Sequence, residues 1–213
     1  MEGASEITDA LRWMHHLDKD VTLAINGCNS PVSDVIWQVF SDTNDTHIWF
    51  VLYIAIAVLI IVRLGWKRGL MLIACCVICV VGIDQLDNLV KVSVQRLRPV
   101  HDADMMARGL HVLEVPGRLY GFFSAHAATT ASFVTCTMLG LTYSDKRHSY
   151  TLLGILLTVW ALLVSISRVF VGKHFLGDVL VGLLIGTLFG YIFAVIYRSL
   201  ANTVKDKGGH SPS

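Results

Sequence analysis

The stretch "HIWFVLYIAIAVLIIVRLGWKRGLMLIACCVICVVGIDQL", His47 to Leu86, decides the class of fold. It holds two apolar runs, about His47–Val62 and about Gly69–Leu86. The short turn between them carries Arg63, Lys67 and Arg68. Each run approaches the ~20 residues that take a helix across a bilayer core. Three more such runs follow, from near Ser124 to near Tyr143, about Tyr150 to Ser167, and about Phe175 to Tyr197. Hydrophobic residues make up 54% of the chain and charged residues 15%. The expected fold is an all-α integral membrane helical bundle of about five transmembrane helices. A length of 213 residues suits one domain. The formal net charge of +1 carries no basic excess, so no nucleic-acid partner is expected.

The first 45 residues are amphipathic rather than spanning. Ile7, Leu11, Met14, Val21 and Ile25 recur at helical steps, and Val32, Val35, Ile36, Val39 and Phe40 form a second stripe. Pro31 and Ser33 are start signals for the second helix. With Trp13 and Trp37 suited to an interface, residues 1–45 read as two helices lying on the membrane surface. The alternative is a helical cap packed on the rest. The transmembrane domain is placed at 46–198 and a disordered tail at 199–213. A sixth span hidden in the first region is disfavoured by its broken hydrophobicity. The first residues have no basic segment followed by an apolar one, so no signal peptide is expected. Cys28, Cys75, Cys76, Cys79 and Cys136 read as small core residues rather than a metal or disulfide framework.

Basic residues set the orientation. Arg63, Lys67 and Arg68, then Lys146 and Arg147, then Arg198, Lys205 and Lys207 fall on one side of a five-span chain. That side is expected to be cytoplasmic. The other charged groups then fall at the opposite helix ends: Asp84, Asp87, Lys91, Arg96 and Arg98 after span two, Ser124 and His126 opening span three, Ser167 and Arg168 closing span four, and His174 and Asp178 opening span five. A charge within a bilayer costs at least ~2.5–3.5 kcal/mol, so convergence into one polar pocket is the economical reading. Lys91, Arg98 and Arg168 offer cations for an anionic group. Two histidines can act as nucleophile, acid or base. Asp178, four residues after His174, can orient its ring from one helical turn away. Phosphoryl transfer leads among the chemistries. Arg96, Arg108 and Arg118 read as ordinary outer-loop charges, and Lys173 as a rim charge.

Three motifs in this second half resemble the type 2 phosphatidic acid phosphatase superfamily. Lys91, six residues, then Arg98-Pro99 is similar to its first signature. "FSAH", Phe123 to His126, resembles its second, usually Pro-Ser-Gly-His. "SRVFVGKHFLGD", Ser167 to Asp178, is similar to its third. The resemblance implies that His174 is a nucleophile forming a phosphohistidine and that Asp178 orients it. It implies that His126 protonates the leaving oxygen and then activates water. Lys91, Arg98, Ser124, the backbone N–H at Ala125 and Arg168 would bind phosphate. Neither metal nor other cofactor is implied. Phe123 and Ala125 depart from the pattern, and a positive φ at 125 would strain alanine. Tolerance is expected.

The expected activity is hydrolysis of a phosphomonoester or diphosphate on a lipid head group, with the bilayer and a phosphorylated lipid as partners. Undecaprenyl pyrophosphate, phosphatidylglycerophosphate, phosphatidic acid and lipid A are the candidate substrates. The expected site is the outer face of a bacterial inner membrane, multi-pass. A lipid phosphotransferase, a vanadium haloperoxidase and a non-catalytic lipid-binding protein are the alternatives. The outer loop His101–Tyr120 is expected to shape head-group selection.

Overall fold

The computed structural model describes residues 2–42 and 47–208, with side chains for 9–42 and 49–203. The side chains of Ile7, Lys205 and Lys207, and residues 209–213, lie outside the described residues. The described chain is helical throughout. Its elements are α1 (Glu2–Asn26), α2 (Pro31–Ser41), α3 (His47–Val94), a 3-10 turn at Pro99–His101, α4 (Ala103–Ala107), α5 (Ala125–Ser144), α6 (Thr151–Phe170) and α7 (Leu176–Gly208).

Both expected start signals, Pro31 and Ser33, lie in the first turn of α2, and Ser30 is its N-cap. Its hydroxyl accepts the Ser33 N–H at 3.1 Å, and the Ser33 hydroxyl accepts the Ser30 N–H at 2.8 Å. This reciprocal box, with Pro31 as the first helical residue, satisfies donors that a helix start leaves free.

One kinked element, α3, contains both apolar runs of the opening stretch. Gly65 interrupts it with φ 75° and ψ 169°, a backbone that side-chain-bearing residues rarely adopt. The second arm folds back on the first: a Cβ built on Gly69 would lie 3.0 Å from Ile61 Cα. The apolar part, Trp49–Val94, has 46 residues and holds an 18-residue window of mean hydropathy 2.3. At ~1.5 Å per residue it is long enough to cross a ~30 Å core twice. Thr151–Phe170 and Leu176–Thr203 are also long and apolar enough to cross a membrane.

Expected as a span too, α5 is outside that set because it is rich in hydroxyl residues. Packing explains this: α5 touches α3, α6 and α7, so protein surrounds much of it. Thr130 and Ser132 are buried and donate to the carbonyls of His126 at 2.7 Å and Thr129 at 2.9 Å. Hydroxyls satisfied within their own helix fit an enclosed position. The closest approach is to α7. A Cβ on Gly182 would lie 2.6 Å from the Ser124 carbonyl oxygen, and one on Gly190 2.5 Å from that of Ser132. Gly186 meets the Ala128 carbonyl in the same way. Gly182, Gly186 and Gly190, a repeat of small residues every fourth position, therefore form a rail that fixes α5 against α7.

Trp49, Tyr53, Phe133 and Trp160 cluster in the core, with Tyr53 edge-on to Phe133 at 5.1 Å between centroids. Cys75, Cys76, Cys79 and Cys136 are buried free thiols, and Cys28 is exposed. The helix α7 continues to Gly208, so the segment expected to be a disordered tail from 199 begins inside a helix.

Candidate active site

Three chain reversals build one polar end of the bundle. The first ends α3 at Val94, where Gln95 turns left-handed at φ 53° and the chain runs extended through Arg98. Leu97 and Tyr120 form an isolated antiparallel bridge. The Arg98 N–H donates to the Leu119 carbonyl at 3.0 Å, and the Gly121 N–H to the Arg96 carbonyl at 2.9 Å. The second reversal opens α5: the Ser124 N–H donates to the Asp178 carbonyl at 3.0 Å. The third closes α6. Gly172 takes φ 79°, and the N–H groups of Lys173 and His174 both reach the Arg168 carbonyl, at 3.0 and 3.1 Å. This turn carries His174. The imidazole therefore precedes α7 and does not sit one helical turn below Asp178, as the four-residue spacing had suggested.

His174 is 2% exposed and Asp178 fully buried. His174 Nδ1 lies 3.5 Å from Asp178 Oδ2, a long contact of the kind that tightens in a loaded site. Burial, then the cations Arg98, Arg168 and Lys91, hold the imidazole well below its ordinary 6.5. His174 is therefore neutral at pH 7. With a carboxylate beside Nδ1, the proton belongs there and the lone pair on Nε2. The three expected cations are thus gathered around the expected nucleophile.

Each cation has a fixed seat. Lys91 pairs with buried Asp87 one turn away. Arg98 Nε donates to the Tyr120 carbonyl at 3.2 Å. Arg168 Nη1 donates to the Ser41 carbonyl at 3.1 Å and to the Ser41 hydroxyl. Ser124 Oγ and Arg168 Nε are buried with no protein partner, so both can donate to an anionic oxygen. Ser124 also caps α5, and Ala128 makes the first bond back to its carbonyl at 3.0 Å. The N–H groups of Ala125, His126 and Ala127 precede that bond, which makes this helix start an anion-binding terminus. Among described non-glycine residues, Gln95 alone has a positive φ. Ala125 is thus unstrained, and the feared cost of alanine there does not arise.

Several site residues were given bland roles, or none, in the sequence reading. Arg96 is not an outer-loop charge. Its Nη1 binds Asp178 at 2.6 Å and its Nη2 binds Asp18 at 2.6 Å, while its guanidinium covers the Phe175 ring at 4.2 Å. Asp18 in turn accepts the Gly177 N–H at 2.8 Å, and Thr22 accepts that of Leu176 at 3.0 Å. Asn26 donates to the carbonyls of Val169 and Phe170 at 3.2 and 2.9 Å. One face of α1 thus straps down the segment that holds His174. Lys173 is no rim charge either. It is 7% exposed, bonds the Val115 carbonyl, and lies 3.4 Å from Glu114. Arg108 and Arg118 do behave as outer charges, paired with Asp20 at 2.7 Å and Asn88 at 2.5 Å. Asp102 caps α4 and pairs with Lys19 at 2.8 Å.

A cavity of about 760 Å³ lies between the two arms of α3 and α5. Tyr53, Ile60, Cys76, Val80 and Phe133 line it, with Asp84 and His126 also on its wall. His126 therefore borders an apolar chamber, and its helix start borders the cation cage.

A buried imidazole among three cations, beside a helix start and an apolar cavity, defines a membrane-embedded anion-handling site. The chain belongs to the PAP2 superfamily, whose model matches residues 66–201. It is 28% identical over 179 residues to a lipid A 4'-phosphatase of Bacteroides thetaiotaomicron, covering 81% of this chain and 73% of that protein. A lipid A 4'-phosphatase of Porphyromonas gingivalis is 24% identical over 176 residues, covering 81% and 70%. The fold is similar to the crystal structure of a transmembrane PAP2 type phosphatidylglycerolphosphate phosphatase from Bacillus subtilis, with TM-score 0.69, 20% identity and 87% of each chain covered. It is also similar to Aquifex aeolicus LpxE, with TM-score 0.58, 21% identity, and 82% of this chain and 92% of that one covered.

Proposed function

We propose that this protein is a membrane lipid phosphatase working through a phosphohistidine on His174. The observation that carries the reading is the position of His126, on the wall of an apolar cavity and at the helix start facing a cation cage. A lipid can place its tail in the cavity and its phosphate among Lys91, Arg98, Arg168, Ser124 and the Ala125 N–H. Neutral His174 Nε2 attacks phosphorus as the bond to the leaving oxygen breaks, and His126 gives that oxygen a proton. His126 then takes a proton from water, whose oxygen attacks phosphorus and releases inorganic phosphate from His174. Asp178 holds the Nδ1 proton and stabilises the charge that forms on the ring. The fixed cations stabilise the transition state, the task a metal performs in other phosphatases. The names of the two curated relatives favour a phosphorylated lipid A among the candidate lipids. A five-pass topology with the site facing the periplasm, and α1 and α2 at the membrane surface, completes the reading. The exposed Leu11, Trp13, Met14 and Leu17 on α1 support that last placement.

The test is phosphate release by the purified protein from a lipid panel, with and without EDTA. Turnover insensitive to EDTA and lost in His174→Ala is expected. Full activity in His174→Ala would refute the mechanism.

A further inference from the structure

Glu114 is the carboxylate that stands against two cations of this site at once, Arg168 and Lys173. It comes from the loop after α4 and is anchored to the Ser41 hydroxyl. Its Oε1 lies 3.6 Å from Arg168 Nη1 and its Oε2 3.4 Å from Lys173 Nζ. Lys173 and Arg98 meet at Gly117, where a Cβ would lie 3.6 Å from both cationic groups. Lys173 is therefore the cation next outward from the cage, and Glu114 already neutralises it. Around the imidazole stand Lys91, Arg98, Arg168 and Lys173; Lys91 pairs with Asp87, Arg96 bridges Asp178 and Asp18, and Glu114 lies against both Arg168 and Lys173. The three cations nearest the imidazole, Lys91, Arg98 and Arg168, suit the dianion of a phosphomonoester. A diphosphate brings a further negative charge into a poorly solvated site, and on the side of Arg168 and Lys173 it meets the Glu114 carboxylate, a like-charge contact that is costly where water is scarce.

We infer that Glu114 is a specificity-determining residue that confines this site to phosphomonoesters of lipids, by holding a negative charge where the second phosphate of a diphosphate head group needs a cation. The inference rests on the phosphatase reading above and narrows it to one head-group class. Ser41 and Lys173 share the device, since they fix where the carboxylate stands.

Full-length protein is assayed on phosphatidic acid and on diacylglycerol pyrophosphate with the same acyl chains. Wild type is expected to favour the monoester in kcat/KM by about 10-fold or more, the equivalent of one lost charge compensation. Glu114→Gln keeps the size and the Ser41 contact, and is expected to narrow that preference about 10-fold, mainly by faster diphosphate turnover. Glu114→Asp keeps the charge and should keep the preference. An unchanged ratio in Glu114→Gln, or a wild type that prefers the diphosphate, overturns the inference while leaving the phosphatase reading intact. No hydrolysis of any panel lipid overturns both. Thermal stabilisation of the wild type by inorganic phosphate and by pyrophosphate gives a second readout that needs no variant. Stronger stabilisation by phosphate supports charge selection, and equal or stronger stabilisation by pyrophosphate overturns it.

Discussion

Arg96 shows how much of this site rests on a residue that does not face the reacting phosphorus. It bridges Asp178 to Asp18 with two 2.6 Å contacts, so it fixes the carboxylate proposed to orient His174. A hydrogen bond to a charged group is worth ~1.5–3 kcal/mol. Arg96→Ala should therefore lower kcat by about 10- to 100-fold with little change in KM, because the loss falls on the transition state. Arg96→Lys should rescue little, since one ammonium cannot span both carboxylates as a fork does. A raised KM with unchanged kcat would instead make Arg96 a substrate ligand. Lys91, Arg98, His126, Arg168, His174 and Asp178 were legible in the sequence because ionisable groups beside apolar runs stand out. Arg96 was passed over although it lies two residues from Arg98 on extended chain, where alternate side chains share a side. Glu114 lies in the loop expected to shape head-group selection, but nothing singled it out there, because its partners are set by where that loop folds and not by spacing.

Among the elements, the glycine rail of α7 decides whether the two halves of the site meet. Ser124 and His126 come on α5, and His174 and Asp178 come at the head of α7. The rail brings α5 and α7 into backbone contact. Gly186→Val drives a side chain into the Ala128 backbone and should cost about 1–3 kcal/mol or more. Thermal unfolding in detergent should show a clear fall in Tm, with loss of activity. Gly82→Ala is the contrast, since its Cβ meets only the Phe189 ring at an ordinary 3.5 Å. An undiminished Tm in Gly186→Val would refute the rail. The ladder was readable as a repeat of small residues, but not which helix it met. The same limit applied to α5, whose hydroxyls lower its apolar character because neighbours, not lipid, surround much of it. The turn at Gly65 was readable as a basic break, whereas the continuation of α7 to Gly208 ran against a polar composition.

At the scale of the whole molecule, antiparallel helices sort the chain into two ends. The sequence disclosed this sorting because each apolar run must reverse the direction of the last. Cys28 belongs to the site end, beside the Asn26 strap, and it is exposed while Cys75, Cys76, Cys79 and Cys136 are buried. Arg147 belongs to the other end, between α5 and α6. If the site faces the periplasm, a membrane-impermeant maleimide applied to spheroplasts should label the native protein at Cys28. In a Cys28→Ser background, Arg147→Cys should react only after permeabilisation. Labelling in the reverse order would invert the topology. What the sequence could not disclose is that α1 closes the site, because its contacts to the segment around His174 span 143 to 159 residues of chain. That distance has a consequence in time. A ribosome adding ~5–20 residues per second needs roughly ten to thirty seconds between Asp18 and Gly177. The first helix made thus waits for the last one, and the strap over His174 can close only when nearly the whole polypeptide has been delivered. A nascent chain halted before α7 carries Lys91, Arg98 and His126 but neither Asp178 nor the clasp, so the proposed lipid cleavage is confined to completed copies.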